Sequence, residues 1–140
     1  MTQQTISRLL LEAFRALESE LGPALEDRGA FELTPSQARA LLLVDRAGTR
    51  LTELARRAGV TKQAMMQMVD DLQGMGCVRR TPDPDDARAK VVRLTAKGVR
   101  QRARARKAVL TVEGRLKRRL GPRRYEVLRV GLEELTVPEE

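Results

Sequence analysis

The sequence predicts a mainly α-helical fold with one small β-hairpin, and three observations lead to this prediction. The chain has 140 residues, the size of a single domain with one hydrophobic core. It has no Trp, one Tyr and two Phe, so its core must consist of Leu, Val, Ala and Met, which suit packed helices better than sheets. Apolar residues recur at helical spacing along most of the chain, and one segment has two short strands around a turn.

The first two helices are predicted from an apolar stripe and a capping sequence. Apolar side chains recur at i, i+3, i+4 and i+7 over residues 6–21, which is the period of one helix face. We expect Gly22-Pro23 to end this helix, because proline lacks an N–H donor and disrupts a helix interior. Thr34 and Gln37 form a capping box, which predicts that a second helix starts there and reaches about residue 45.

Two short helices joined at a glycine are predicted in the centre of the chain. The first covers residues 51–58, Gly59 suits the left-handed backbone of a helix end, and Thr61 caps a helix over residues 62–75. Such a pair is either a helix-turn-helix, whose second helix enters the DNA major groove, or an ordinary helical hairpin. The second helix has one face with Ala64, Met65, Met68, Val69, Leu72 and Met75, and an opposite face with Lys62, Gln63, Met66, Gln67 and Asp70.

The C-terminal half of the chain contains the hairpin and two further helices. Residues 77–81 and 90–94 predict two short strands around a loop rich in Pro and Asp. Thr95 caps a long helix over residues 96–120, which Gly121-Pro122 ends. A last helix is expected over residues 125–135.

The charge distribution points to a polyanionic partner. The net charge is +8 and the isoelectric point is about 10.7. Residues 99–124 contain eleven basic residues and one acidic residue. This block is either a solvated helix face or an electrostatic attractor for DNA, and charge alone does not choose between them.

Several absences narrow the chemistry. The chain has no His, so triads that depend on His and common zinc sites are excluded, and no glycine-rich phosphate-binding motif is present. We therefore expect no enzyme, no metal and no cofactor. No apolar run has the length of a membrane span, and the single Cys makes no internal disulfide. These features predict a cytoplasmic protein without a membrane partner.

The order of these segments resembles the MarR family of winged helix-turn-helix transcriptional regulators. The similarity runs through LTPSQARALL, LTELARRAGV, TKQAMMQMVDDLQGMGCVRR and DPDDARAKVVRLTAKG. Its most specific part is the D-x-R and L-T-x-x-G signature, carried by Asp86, Arg88, Leu94, Thr95 and Gly98. The resemblance implies that the hairpin is a wing whose Arg88 enters the minor groove, with Asp86 holding that arginine.

The candidate site residues combine this resemblance with the polar helix face. Gln63 and Gln67 are expected to bind adenine edges, with solvated glutamines as the alternative. Met66 contacts a thymine methyl group or is incidentally exposed, and these two interpretations stay open. The predicted DNA-binding residues are Thr61, Lys62, Gln63, Met66, Gln67, Arg88 and Lys90, with Asp86 as wing support.

Other polar residues near the motif are weaker candidates. Exposed arginines flank it and either pair with phosphates or keep the chain soluble: Arg56, Arg57, Arg79 and Arg80. The cluster Asp83, Asp85 and Asp86 favours a turn, with Asp86 pairing Arg88, over a cation site. Cys77 is expected to be a buried thiol rather than a redox sensor.

The resulting hypothesis is a homodimeric regulator, more specifically a repressor, that occupies a pseudo-palindromic site on double-stranded DNA. Residues 1–33 and 99–140 are expected to form the dimerisation helices, and residues 34–98 the DNA-binding region. The resemblance also implies release by a small aromatic ligand, although the chain has few aromatic residues to line a pocket. The alternative function is an architectural or nonspecific nucleic-acid-binding protein that uses the basic long helix.

Overall fold

The structure, a computed structural model, describes residues 2–26 and 33–138. Within these residues the chain forms six helices and three short strands, which confirms the mainly α fold class with a hairpin. In chain order they are α1 (Ile6–Glu26), α2 (Pro35–Leu43), β1 (Thr49–Arg50), α3 (Leu51–Ala58), α4 (Lys62–Gly74), β2 (Val78–Pro82), β3 (Lys90–Leu94), α5 (Ala96–Leu120) and α6 (Pro122–Thr136).

The three strands form one antiparallel sheet in the order β1-β3-β2. Strands β2 and β3 are the predicted hairpin, and Val92 faces Arg80 across it. Strand β1 was not predicted, because two residues are too few to display an alternating pattern. It pairs Thr49 with Val92, and the Thr49 hydroxyl accepts a hydrogen bond from the Asp45 N–H at 2.8 Å.

The larger hydrophobic cluster lies between α2, α3, α4 and the sheet. Leu41, Leu54, Met65, Val69 and Leu72 are all within 1% of complete burial. Each of these side chains comes from the predicted apolar face of its helix. Because these faces pack into one cluster, they hold α3 and α4 at a fixed angle. Between them Gly59 adopts φ +66°, and this left-handed conformation provides the sharp turn of the helix-turn-helix.

Helix α1 is longer than the sequence predicted, and the expected end at Gly22-Pro23 is wrong. The helix continues through Pro23 to Glu26, and Leu21 and Leu25 are buried in a second cluster with alanines of α2 and α5. An interior proline costs about 3 kcal/mol in a helix. Burying a leucine such as Leu25 contributes about 1.5–3 kcal/mol, so tertiary packing offsets most of this cost.

Smaller differences concern helix ends. Helix α2 stops at Leu43 rather than near residue 45, because Val44 is extended and donates its N–H to the Leu41 carbonyl. Helix α6 starts at Pro122 rather than at Tyr125, since proline fits the first position of a helix. The predicted caps at Thr34, Thr61 and Thr95 are confirmed, because each hydroxyl accepts a backbone N–H of the following turn.

The start of the long helix α5 is hydrogen-bonded directly to the start of the hairpin. The Thr95 N–H donates to the Cys77 carbonyl at 3.0 Å, and the Thr95 hydroxyl donates to the Gly76 carbonyl at 2.5 Å. Gly98 lies so close that a Cβ there would be 1.9 Å from the Cys77 carbonyl oxygen. Any side chain at this position would therefore separate α5 from the wing. Cys77 itself is buried, as predicted.

Candidate nucleic-acid interface

The N-terminal half of α4 presents a polar face to solvent. The Thr61 hydroxyl accepts the Ala64 N–H at 3.1 Å and fixes the first turn of the helix. Lys62, Gln63, Met66 and Gln67 are exposed on this turn and the next, as the sequence indicated. A capped helix N-terminus with protruding polar side chains is the geometry with which recognition helices enter the major groove.

Two details of α4 differ from the sequence-based prediction. Ala64 was assigned to the packed face but is exposed. Around the helix axis, Ala64 lies about 90° from the centre of the buried face. The first turn of α4 also extends beyond the core, so the Ala64 side chain is in contact with solvent. The Gln67 side-chain amide donates to the Asp71 carboxylate at 3.1 Å, whereas the Gln63 side chain has no hydrogen bond to a residue in 2–26 or 33–138. Gln63 is therefore the more available of the two glutamines.

Arg80 joins the wing to α4, a role that the sequence did not reveal. Its Nη2 lies 2.5 Å from the Asp70 Oδ1, and its Nη1 lies 3.0 Å from the Gln73 Oε1. Nη2 also approaches the Met66 carbonyl at 3.3 Å. These contacts fix α4 relative to strand β2 and neutralise one carboxylate on the exposed side of the helix.

The wing loop holds its turn with two aspartates. The Asp86 carboxylate accepts the backbone N–H of Arg88 at 3.0 Å. The expected side-chain ion pair between Asp86 and Arg88 does not occur, because an aspartate two residues upstream reaches the backbone more easily than the guanidinium. The Arg88 and Lys90 side chains are exposed and have no ion pair with a described residue.

Asp83 is the second aspartate of the wing, and it is nearly buried. Its carboxylate accepts the Asp85 N–H at 2.8 Å and the Arg50 Nε–H at 2.5 Å. The Asp85 N–H beside it, followed by the Arg50 guanidinium, lowers the pKa of Asp83 below its usual value. Asp83 therefore ties the wing loop to strand β1. The backbone N–H groups that donate to Asp83 and Asp86 within the loop support the turn interpretation.

The arginines of α3 are engaged within the protein. Arg57 forms a bidentate pair with Asp45, with both N–O distances 3.0 Å, and donates to the Leu43 carbonyl at 2.9 Å. Arg56 lies 2.6 Å from Glu53, and this guanidinium lowers the pKa of Glu53 from 4.5 to about 2, with a smaller contribution from Arg57. By contrast, Arg79 is exposed without an ion pair to any residue of the described ranges.

A cleft of about 470 Å³ opens between α1 and helices α2 to α4. Its apolar wall includes Phe14, Leu43 and Met68. Arg39 lies in the cleft with its Nε 3.0 Å from the Glu18 carboxylate and its guanidinium 4.9 Å from the centre of the Phe14 ring. One of the two phenylalanines thus lines this cleft, which the sequence alone could not locate because its walls come from four separate helices.

Two helices expose apolar surface that the chain itself does not cover. On α1 these side chains are Ile6, Leu9, Leu10, Leu11 and Phe14, and on α6 they are Val127, Leu128, Val130, Leu132 and Leu135. Helix α6 has no buried residue at all. In the described part of the chain, no helix combines the length and the apolarity that a membrane crossing requires. Exposed apolar faces of this extent are typical of surfaces that contact another protein chain.

Comparison with known proteins decides the family. The model of the MarR family matches residues 31–89. Over 95% of this chain and 93% of the other, the structure is similar to that of the transcriptional repressor CouR bound to a 23-mer DNA duplex, with 32% sequence identity and a TM-score of 0.80. The chain belongs to the MarR family. As a member of this family it is a DNA-binding transcriptional regulator and acts as a homodimer.

More distant solved structures share the fold. Wild-type MarR from E. coli in its apo form is 22% identical and superposes with a TM-score of 0.76 over 98% of this chain and all of the other. A probable transcriptional regulator from Pseudomonas aeruginosa is 23% identical, with a TM-score of 0.80 over 94% of this chain and 97% of the other. No curated protein matches the chain significantly.

Proposed function

We propose that this MarR-family protein is a repressor whose dimer occupies a pseudo-palindromic DNA site with two α4 helices and two wings. The observation that carries the proposal is the capped first turn of α4, where Lys62 and Gln63 are exposed and free of intramolecular side-chain bonds to described residues. Further support comes from CouR, which is similar over most of the chain and is described as a repressor bound to a DNA duplex.

Each predicted site residue has a distinct role in this proposal. The first turns of α4 enter the major groove, where Gln63 binds an adenine edge and Lys62 binds a guanine or a phosphate. Thr61, Met66 and Gln67 contact the same groove around them. In the wing, Arg88 enters the minor groove and Lys90 binds the backbone, while Asp86 orders the loop through the Arg88 N–H.

The dimer is formed in this proposal by the two ends of the chain. Residues 1–33 and 99–140 provide the dimerisation helices, and residues 34–98 provide the DNA-binding region. The exposed apolar faces of α1 and α6 support this division, because burying them against a second copy removes them from water. Two copies related by a two-fold axis also match the symmetry of a palindromic site.

We further propose that a small ligand in the cleft weakens DNA binding. The cleft lies between α1, which belongs to the dimerisation helices, and α2 to α4, which belong to the DNA-binding region. Its apolar lining, which includes Phe14, suits an aromatic ring, and the Arg39 guanidinium suits an acidic or polar group on the same molecule. A ligand there competes with Glu18 for Arg39 and thereby alters the contact between the two regions.

This proposal requires neither catalysis nor a cofactor. It places the protein in the cytoplasm, where a DNA-bound regulator has access to chromosomal DNA and a single thiol stays reduced. The remaining alternative is an architectural protein that binds DNA through charge alone.

The deciding experiment is selection of bound sequences from a pool of random DNA duplexes, performed at fixed salt. Recovery of a two-fold repeated motif with half-sites one helical turn apart is the result expected for a dimeric repressor. Recovery of no motif, with salt-sensitive binding to every duplex, contradicts the proposal and supports the architectural alternative. The same selection repeated with Gln63→Ala identifies the base position that this side chain contacts.

A further inference from the structure

A cluster of positive charge, separate from the basic residues of α4 and the wing, lies where α5 ends and α6 begins. Four arginines define this surface, which we name the α5–α6 corner: Arg115, Arg118, Arg119 and Arg123. All four are exposed, and none has an ion pair with a residue in 2–26 or 33–138. The sequence contains no acidic residue from 114 to 125. The α5–α6 corner is therefore a positive surface without a negative partner in the described part of the chain.

The spacing of these charges destabilises helix α5, because like charges lie next to one another on its surface. Arg115 lies three and four positions before Arg118 and Arg119 on helix α5. Side chains at these spacings are neighbours on a helix, and each like-charge pair costs about 0.2–0.5 kcal/mol. Cations in the last turn also interact favourably with the helix dipole, but Arg115 lies before that turn.

Other cations at this end of α5 already have local functions and are not part of the corner. Lys117 lies over the Tyr125 ring, 5.9 Å from its centre. The Arg124 Nε donates to the Leu120 carbonyl at 2.9 Å and caps the end of α5. The four corner arginines have no comparable contact with a described residue.

The corner is far from the surface formed by α4 and the wing. Helix α5 has 25 residues and its first residue follows the wing directly, so its other end lies about 37 Å from the base of the wing. A duplex held by α4 and the wing leaves the corner free for a different polyanion.

We propose that the α5–α6 corner binds the backbone of a second DNA duplex, independently of its base sequence, so that one dimer can bridge two DNA segments. Guanidinium groups bind phosphates in a bidentate manner, and their charge complements the phosphate backbone. Single-stranded nucleic acid is a poorer fit, because stacking needs exposed aromatic rings and the one ring nearby is covered by Lys117. An anionic membrane is also a poorer fit, because residues 114–125 include no exposed large apolar side chain.

A bridging assay tests the proposal on the intact protein. One random-sequence duplex is fixed to beads, the protein is bound and washed, and a second fluorescent duplex is added. The test variant is Arg115→Gln with Arg118→Gln and Arg119→Gln. The matched control on the same helix is Arg100→Gln with Arg106→Gln and Lys107→Gln, which removes the same charge from exposed positions nearer the wing.

At equal amounts of bead-bound protein, the corner variant is expected to reduce capture of the second duplex about tenfold, since each lost phosphate contact weakens salt-dependent binding. The control variant is expected to capture it as the original protein does. Equal capture by the corner variant overturns the proposal, as does failure of the original protein to capture a second duplex. Stronger competition by single-stranded RNA or by anionic vesicles than by duplex assigns the corner to another partner and also overturns it.

A second measurement separates this surface from the one that contacts bases and from the dimer interface. In a Lys62→Ala and Arg88→Ala background, residual binding of a labelled random duplex is expected to persist and to disappear when the corner variant is added. Dissociation of the corner variant into monomers in sedimentation would show that the corner contacts a second copy and would overturn the proposal. If the protein selects no base sequence but still bridges two duplexes, the proposed function is contradicted and the bridging proposal stands.

Discussion

Arg80 of strand β2 and Asp70 of helix α4 form an ion pair, with Nη2 2.5 Å from Oδ1, that crosses from the wing to the helix predicted to contact bases. The pair is partly exposed, so its contribution to folding stability is small, at most about 1 kcal/mol. In the proposed function its role is orientation, because the relative position of α4 and the wing would determine whether both enter their grooves together.

The first prediction concerns this orientation. Arg80→Met is expected to change the free energy of unfolding by less than about 1 kcal/mol but to reduce DNA affinity about tenfold. Thermal unfolding and fluorescence anisotropy at several salt concentrations measure the two effects. The salt slope should stay unchanged, because Arg80 is bound to α4 rather than to phosphate. A slope that falls by about one shows instead that Arg80 binds a phosphate. Arg79→Met, on the adjacent exposed residue, is the matched control.

The second prediction separates the two glutamines of α4. Gln63→Ala removes a free side chain and is expected to cost roughly 1–3 kcal/mol per half-site and to relax preference at one base position. Gln67→Ala is expected to have a smaller effect, because the Gln67 amide is already bonded to Asp71. Base-preference profiles of both variants provide the measurement. A larger change for Gln67→Ala than for Gln63→Ala would mean that the hydrogen bond to Asp71 breaks when DNA binds.

The third prediction concerns the wing. Arg88→Ala is expected to lower affinity for many sequences together and to reduce the preference for A·T-rich flanks, because an arginine in the minor groove senses its width and potential. Asp86→Ala removes the carboxylate that accepts the Arg88 N–H and is expected to weaken binding less, by loosening the loop. Binding of both variants to duplexes with A·T and G·C flanks tests this order. Wild-type binding by Arg88→Ala would exclude the wing from the minor groove.

The fourth prediction is a pH dependence of stability. The folded-state pKa of Glu53 is about 2, below its ordinary value of 4.5, because Arg56 stabilises its charged form. A carboxyl group with a lowered pKa stabilises the fold above its unfolded pKa, and this stabilisation is lost as the pH falls towards the folded pKa. Urea unfolding of the wild type should therefore show stability falling between pH 4.5 and about 2.

Glu53→Gln should reduce this slope and lower stability at neutral pH. The matched control is Glu113→Gln, an exposed carboxylate of α5 without an ion pair to a described residue. An identical slope in Glu53→Gln and the wild type would contradict the assignment to the Glu53–Arg56 pair.

The fifth prediction concerns the dimer. Val127→Glu puts a charge on the exposed apolar face of α6 and is expected to shift the protein from dimer to monomer in sedimentation velocity, because an interface core does not accept an unpaired charge. Val60→Glu, at an exposed apolar position between α3 and α4 and outside the proposed dimerisation residues, is expected to stay dimeric. A dimeric Val127→Glu variant would place the interface elsewhere.

Features that depend on near neighbours in the sequence were predicted well. The caps at Thr34, Thr61 and Thr95 follow from residues within one turn, and the structure confirms them. It also confirms the apolar face of α4, except at Ala64. The exposed polar face of α4, and with it most of the candidate site, follows from the same helical period.

Features that depend on distant residues were not predicted. Arg50 and Asp83 are 33 positions apart, so no local pattern pairs them. Strand β1 exists only through its pairing with β3, and α1 passes Pro23 only because Leu25 is buried against α2 and α5. The cleft likewise requires the packing of four helices, which a single sequence does not specify.

Helix α2 belongs to both hydrophobic clusters, with Leu41 in the larger and Ala38 in the smaller. On the proposed pseudo-palindromic site, the two α4 helices of the dimer lie one turn of B-DNA apart, roughly 34 Å. In the proposed dimer that distance depends on how each DNA-binding region is joined to α1 and α5, and the nine residues of α2 form one of these connections, beside the direct hydrogen bonds between α5 and the hairpin. A tilt of this short helix would therefore put the two cores out of phase with the DNA helix, even though α2 itself lies outside the predicted DNA contacts.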